Sequence, residues 1–167
     1  MLNRIEHRAF TKLYEKPVNK LITSAGILPI LTLDNTVNSA PSNVKALWDT
    51  GATLTCLKPA LFKRLKLRLF ETTRQTPIAG IGGNVAADLT FVDIFLAYNL
   101  VITCCPVYIA DFPGNAELLI GMDIIGMGDF AVCNAEGKTS FSFVMPPFPD
   151  RVNFAEKAEA ANRSSAV

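Results

Sequence analysis

A single Asp-Thr-Gly sequence, Asp49-Thr50-Gly51, constrains the fold of this 167-residue chain more than any other feature. Apolar residues lie on both sides of it, at 46–48 and at 54–57. This pattern predicts a buried strand that runs into a tight turn and a second strand that runs out of it. Gly51 allows backbone N–H groups to approach the carboxylate. A carboxylate at such a turn is suited to acid/base chemistry.

Length and charge limit the classes of protein to consider. The chain is long enough for one domain with a real core but too short for two full lobes. Half of its residues are hydrophobic, as in a globular protein, and its net charge of +1 gives no support for a nucleic acid partner. The basic residues after position 57 are interpreted as the solvated face of a short helix rather than as a phosphate-binding patch: Lys58, Lys63, Arg64, Lys66 and Arg68.

Several other kinds of site are disfavoured. The only histidine, His7, lies near the N-terminus, so Ser/His/Asp and Cys/His triads have no suitable base. The cysteines lack C-x-x-C spacing and are expected to be core thiols: Cys56, Cys104, Cys105 and Cys133. We therefore expect no metal and no cofactor. The N-terminal residues lack a signal-peptide core, and the apolar run at 21–33 is too short to span a bilayer. A cytoplasmic protein without a membrane partner is the expectation.

Short strands separated by turn signals dominate the pattern. The predicted strands are Ile27–Leu33, Val44–Trp48, Thr53–Leu57, Thr72–Ile78, Val85–Tyr98, Leu100–Ala110, Asp129–Cys133 and Thr139–Val144. One short helix is predicted from Pro59 to about Lys66, and another from Gly121 through Ile125. These elements predict an all-β domain over residues 21–149, preceded by an extension (1–20) and followed by a polar tail (150–167).

Two further segments are distinctive. Ala79-Gly80-Ile81-Gly82-Gly83 predicts a flexible hairpin tip with an apolar apex, although an ordinary hairpin turn explains it equally well. A phosphate-binding loop is excluded there because Val85 stands where a glycine is required. The second segment, 118–125, predicts a core strand that leads into a short helix.

In their order and spacing, these three segments resemble the retropepsin-like aspartic proteases, a single-lobed family that includes retroviral proteases and their cellular and bacterial relatives. The resemblance spans about Ile27 to Val144. It implies an all-β closed barrel or sandwich with a flap hairpin and one or two short helices. It also implies a two-fold homodimer, since each subunit of such a protease supplies one catalytic aspartate.

The resemblance implies a role for each motif residue. Asp49 would be the catalytic carboxylate, Thr50 would hydrogen-bond across the two-fold axis, and Gly51 would donate its N–H to the carboxylate. Substrate would contact the cleft floor, the flap and a pocket residue: Ala52, Gly80, Ile81, Gly82 and Leu119. The loop at 112–117 would help to shape the side-chain pockets.

Two positions depart from the retroviral pattern. Retroviral members usually carry an Asp and an Arg that form an interface ion pair, where this chain has Thr53 and Met122. The implied activity is that of an aspartic endopeptidase, in which a pair of Asp49 carboxylates activates a water molecule to hydrolyse a peptide bond. A non-catalytic peptide-binding or sensing domain of the same fold is the alternative. A structural β-domain in which Asp49 only caps a turn is a third interpretation.

Overall fold

The computed structural model describes residues 6–30, 32, 40–70, 76–80, 83–97 and 100–164. Its strands are β1 (Arg8–Tyr14), β2 (Leu21–Pro29), β3 (Ser42–Trp48), β4 (Cys56–Leu57), β5 (Thr76–Gly80), β6 (Gly83–Leu96), β7 (Leu100–Ile109), β8 (Leu118–Ile120), β9 (Asp129–Ala135) and β10 (Lys138–Met145). Its helices are α1 (Pro59–Arg64), α2 (Met122–Ile125) and α3 (Phe154–Ser164). None of these helices is long and apolar enough to cross a membrane.

Six strands close into a barrel. Their order is β2-β3-β8-β4-β7-β6, and an antiparallel pairing of β6 with β2 completes the circle. Among the residues that the structure describes, β5 pairs with β6 alone and forms a hairpin with it, in register from Thr76↔Ala87 to Gly80↔Gly83. The expected all-β closed barrel with short helices is therefore confirmed.

Alternating side chains of β6 show how the sequence builds the barrel. Thr90, Val92, Ile94 and Leu96 are buried, whereas the residues between them are partly exposed. This period of two is the one that a half-buried strand requires. The same alternation makes the strand recognisable in the sequence, so its prediction is confirmed.

A second sheet, with the order β1-β10-β9, packs aromatic rings against the end of β3. Phe10 of β1 contacts Phe141 edge-on, with ring centroids 5.5 Å apart, and the indole of Trp48 lies 5.0 Å from the same ring. The segment expected to be an N-terminal extension thus contributes a strand, paired with β10 from Arg8 to Tyr14. Phe10 is the only buried residue of β1, so the sequence carries no alternation that would predict it.

The three strands around Asp49 determine the position of the candidate site. β8 lies between β3, to which it is parallel, and β4, to which it is antiparallel. The chain therefore leaves β3, turns at Asp49, and returns as β4 on the other side of β8. This arrangement brings residues 49–52, called here the Asp49 turn, next to the corner where β8 leads into α2.

The predicted polar tail contains α3, and none of the residues of this helix is buried.

Candidate active site

The backbone of the Asp49 turn forms a hydrogen bond with the carboxylate of Asp49 itself. The backbone N–H of Gly51 donates to Asp49 Oδ1 at 2.9 Å, and the N–H of Ala52 donates to the Asp49 carbonyl at 3.2 Å. A Cβ atom at position 51 would lie 3.2 Å from Oδ1, which is a tight contact. A glycine at this position therefore lets the backbone approach the carboxylate closely.

Backbone hydrogen bonds fix both ends of the turn to the corner between β8 and α2. At the entry, the N–H of Asp49 donates to the carbonyl of Ile120 at 3.0 Å. At the exit, the N–H of Met122 donates to the carbonyl of Ala52 at 2.8 Å. Since β8 is buried on every residue, the turn rests on a rigid part of the barrel.

Thr55 and Asp123 form a hydrogen-bonded pair next to the turn. Neither residue is among the site residues that the sequence predicts. The hydroxyl of Thr55 donates to Asp123 Oδ1 at 2.7 Å, and the backbone N–H of Thr55 donates to Asp123 Oδ2 at 2.8 Å. Thr55 is completely buried. A fully buried threonine hydroxyl requires a hydrogen-bond partner, and Asp123, in the first turn of α2, supplies it. The sequence gives no local signal for this pair, because the fold brings together two residues that are 68 positions apart.

Asp49 lines an open cleft of about 960 Å³. Asp49 is partly exposed, whereas Thr50 and Gly51 are exposed. Ala52 and Leu119 also line this cleft, and their contact with substrate stays a prediction. The volume lies at the upper end of the range of small-molecule sites.

The predicted flap is described only in part. Gly80 is the last residue of β5 and pairs with Gly83 of β6. Ile81 and Gly82 lie outside the described residues. The two hairpin arms, β5 and β6, are paired. The flap role of these residues stays a prediction.

One wall of the cleft is formed by residues that follow β7. Lys58 Nζ donates to the carbonyl of Gly114 at 2.6 Å and lies 5.1 Å from the centroid of the Phe112 ring. Arg64 forms an ion pair with Glu117 at 2.6 Å. Two of the basic residues around α1 are therefore solvent-exposed, as expected, and also contact the loop at 112–117.

The buried thiols are not nucleophiles at neutral pH. Burial raises the pKa of Cys56 to about 11 and that of Cys105 to about 12, and the negative charge of Asp123 adds to both shifts. Cys56 lines the cleft, but its thiol stays protonated there. All four cysteines are free.

The expectation of core thiols is wrong for Cys104 and Cys133, which are exposed. β7 and β6 shift register near Val92, and Thr103 and Cys104 are both exposed beside this irregularity. The N–H of Cys104 is bonded to the side chain of Asp93. Cys133 lies on β9, an edge strand of the described β1-β10-β9 sheet that is exposed along most of its length.

Solved structures with a similar fold are aspartic proteases. A retropepsin-like aspartic protease from Rickettsia conorii is 13% identical with a TM-score of 0.50, and covers 84% of this chain and 96% of its own. EIAV protease, solved with the inhibitor HBY-793, is 29% identical with a TM-score of 0.46, covering 64% of this chain and 86% of its own. Simian foamy virus (mac) protease is 18% identical with a TM-score of 0.38, covering 64% and 92%. No curated protein sequence matches the chain.

The closed barrel is that of a retropepsin-like aspartic protease. A family model described as gag-polyprotein putative aspartyl protease matches residues 33–127, which is more than half of the chain. The chain belongs to this family. The matched residues include the Asp49 turn, both arms of the predicted flap, and β8.

Proposed function

We propose that this protein is an aspartic endopeptidase whose active site is completed by a second copy of the chain. The observation that carries the proposal is the Asp49 turn, in which the Gly51 N–H bonds the carboxylate at the edge of an open cleft. One chain supplies one such turn, and the mechanism of this class requires two carboxylates. A two-fold homodimer would place two Asp49 residues together.

The chemistry follows from the electrostatics of a carboxylate pair. Two carboxylates in close contact do not both ionise, so the pair keeps one proton. The ionised member takes a proton from a water molecule, and the neutral member donates a hydrogen bond to the scissile carbonyl. The activated water then attacks the carbonyl carbon, giving a tetrahedral intermediate. Collapse of this intermediate breaks the C–N bond as the amine leaves with a proton.

The remaining motif residues support this reaction in the proposed dimer. Thr50 would bond across the two-fold axis, and Gly51 would orient the carboxylate. Substrate would lie extended on Ala52 and Leu119, with main-chain hydrogen bonds along the cleft. Gly80, Ile81 and Gly82 would form the flap that closes over the substrate and excludes bulk water.

The test compares wild type with Asp49→Asn on a peptide library, with cleavage products identified by mass spectrometry. Asparagine preserves the size of the side chain but cannot act as the base, so cleavage should be abolished while the fold is retained. Asp150→Asn is a matched control, because Asp150 is exposed and lies outside the barrel strands. Equal activity of wild type and Asp49→Asn would reject the catalytic assignment. Peptide binding without cleavage by wild type would favour the non-catalytic alternative.

A further inference from the structure

We propose that Lys58 is a positioning residue for substrate selection and that it acts through Phe112. The inference rests on the proposed function, because the loop that Lys58 contacts forms part of the cleft that would bind the peptide. Phe112 and Pro113 are among the described residues that line the cleft, and Lys58 is not one of them. Its contribution is therefore the position of the cleft wall rather than a contact with substrate.

Backbone hydrogen bonds hold both ends of the loop at 112–117. Before the loop, the N–H of Ala110 donates to the carbonyl of Leu57 at 3.2 Å. At its end, the N–H of Lys58 donates to the carbonyl of Glu117 at 3.0 Å. Neither bond reaches the middle of the loop. The part of the loop that lines the cleft therefore needs a separate contact to keep one position.

The ammonium group of Lys58 supplies that contact. Its Nζ donates to the carbonyl of Gly114 at 2.6 Å and lies 5.1 Å from the centroid of the Phe112 ring. A hydrogen bond from a charged donor is stronger than one between neutral groups, and a cation within about 6 Å of a ring centroid is attracted to the ring. Gly114 has a φ of 97°, so the chain turns there. One side chain thus holds both the turn of the loop and the aromatic ring two residues before it.

The ring that Lys58 holds belongs to an apolar part of the cleft. Phe112 is partly exposed, and the apolar residues Pro113 and Leu119 line the same cleft. Such a wall favours a large apolar substrate side chain, because their contact removes apolar surface from water. The substrates that should depend on Lys58 are therefore peptides with a large apolar side chain at the position that meets Phe112.

Loss of the ammonium group should weaken substrate binding more than it slows the chemical step. The bound peptide would have to order a wall that is ordered beforehand in wild type, and ordering one side chain corresponds to roughly two- to tenfold weaker binding. The Asp49 turn is held elsewhere, by the bond from the Asp49 N–H to the carbonyl of Ile120 at 3.0 Å. The expected signature is a higher KM with a nearly unchanged kcat, which indicates the loss of binding that substrate and transition state share.

The experiment measures kcat and KM on peptides that differ at one position at a time. Phe112→Ala first identifies the peptide position that meets the ring, as the one where the preference for large apolar side chains falls. We expect Lys58→Met to raise KM about two- to tenfold for peptides with a large apolar side chain at that position, with kcat within about twofold. Peptides with alanine at that position should change little.

Three further variants separate positioning from a merely structural role. Lys58→Arg keeps a positive charge that stacks on aromatic rings, so its KM should stay within about twofold of wild type. Lys63→Met is the matched control, because Lys63 is exposed on α1 and, among the described residues, its ammonium group has no contact with the loop. In the double variant Lys58→Met/Phe112→Ala, the two effects on KM should not add, since both act through the same ring.

Competent sites are counted by titration with a tight-binding peptide-like inhibitor, so that lower stability is not mistaken for a change in kcat. Wild-type KM and preference in Lys58→Met would overturn the inference. A rise in KM that is equal for every peptide would also overturn it, as would equal rises in Lys58→Arg and Lys58→Met. Failure of the proposed function has a different signature, since wild type itself would then show no cleavage that Asp49→Asn abolishes.

Discussion

Gly121 packs directly against the backbone of Leu54. A Cβ atom at position 121 would lie 2.6 Å from the carbonyl carbon of Leu54 and 2.7 Å from its carbonyl oxygen. Both neighbours are backbone atoms next to the Asp49 turn, so a small side-chain rotation cannot relieve the contact. The close approach of two backbones is the physical reason for a glycine at the end of β8.

Gly121→Ala should therefore destabilise the protein, by about 1–3 kcal/mol, because overpacking forces backbone shifts. The measurement is the urea midpoint and slope of unfolding for each variant. Gly137→Asn is the control, because a Cβ atom at Gly137 meets nothing within 4 Å and asparagine tolerates its positive φ of 72°. An unchanged midpoint for Gly121→Ala would show that the two backbones can separate without cost.

The raised pKa values of the buried thiols predict the order in which cysteines react. With pKa values of about 11 and about 12, Cys56 and Cys105 carry almost no thiolate near neutral pH. Cys104 and Cys133 are exposed. Iodoacetamide at about pH 8 should alkylate these two first, since the thiolate is the reactive form. Peptide mapping by mass spectrometry gives the rate for each cysteine.

Denatured protein is the control for that experiment, and all four cysteines should react at comparable rates in guanidinium chloride. Raising the pH toward 11 should accelerate Cys56 in the folded protein. Alkylation of Cys56 as fast as Cys133 in the native state would mean that its thiol is more accessible or more acidic than the structure indicates.

Periodicity and turn chemistry make much of the fold predictable from the sequence. β6 and β7 are long, β6 alternates, Pro59 begins α1, and the apolar run before Asp49 is the end of β3. The Asp-Thr-Gly sequence is recognisable in the chain directly, whereas Leu119 is singled out only by the resemblance to the family; both line one cleft in the structure. These features depend on local patterns, which a sequence displays directly.

The features that the sequence does not reveal depend on contacts between distant residues. Thr55 and Asp123 are 68 positions apart, and their pairing follows only from the way β8 lies beside β4. β1 contributes one buried ring, Phe10, and its place in the sheet depends on β10. The register irregularity that leaves Cys104 exposed likewise depends on pairing between β6 and β7.

Activity per chain should depend on protein concentration, because one chain supplies one Asp49. Dilution below the dimer dissociation constant should lower specific activity, and sedimentation should show the monomer in the same range. Thr53 and Met122 stand where retroviral proteases carry an ion pair, and Met122 is 42% exposed. We therefore expect added salt to weaken the dimer little. A monomer that cleaves peptides at full rate would contradict the shared site.

The dependence of kcat/KM on pH tests the carboxylate pair most directly. Only the pair that holds a single proton has both a base for the water and an acid for the carbonyl. Acidification protonates both members and removes the base, whereas alkalinisation removes the shared proton and leaves no acid. Activity should thus follow a bell-shaped curve with its maximum on the acidic side of neutrality or close to it. The two limbs report the pair rather than either residue.

The measurement covers about pH 3 to about pH 9, with and without a metal chelator, and the upper limb reports loss of the proton that an aspartate pair shares. Stability is followed at each pH, so that loss of fold is not mistaken for loss of a proton. The chelator should have no effect, because carboxylates alone activate the water in this mechanism. An inhibitor with a secondary hydroxyl should bind most tightly at the pH of maximal activity, since its hydroxyl replaces the water held by the singly protonated pair. Activity that rises steadily into the alkaline range, or disappears with the chelator, would rule out the Asp49 pair as the catalytic group.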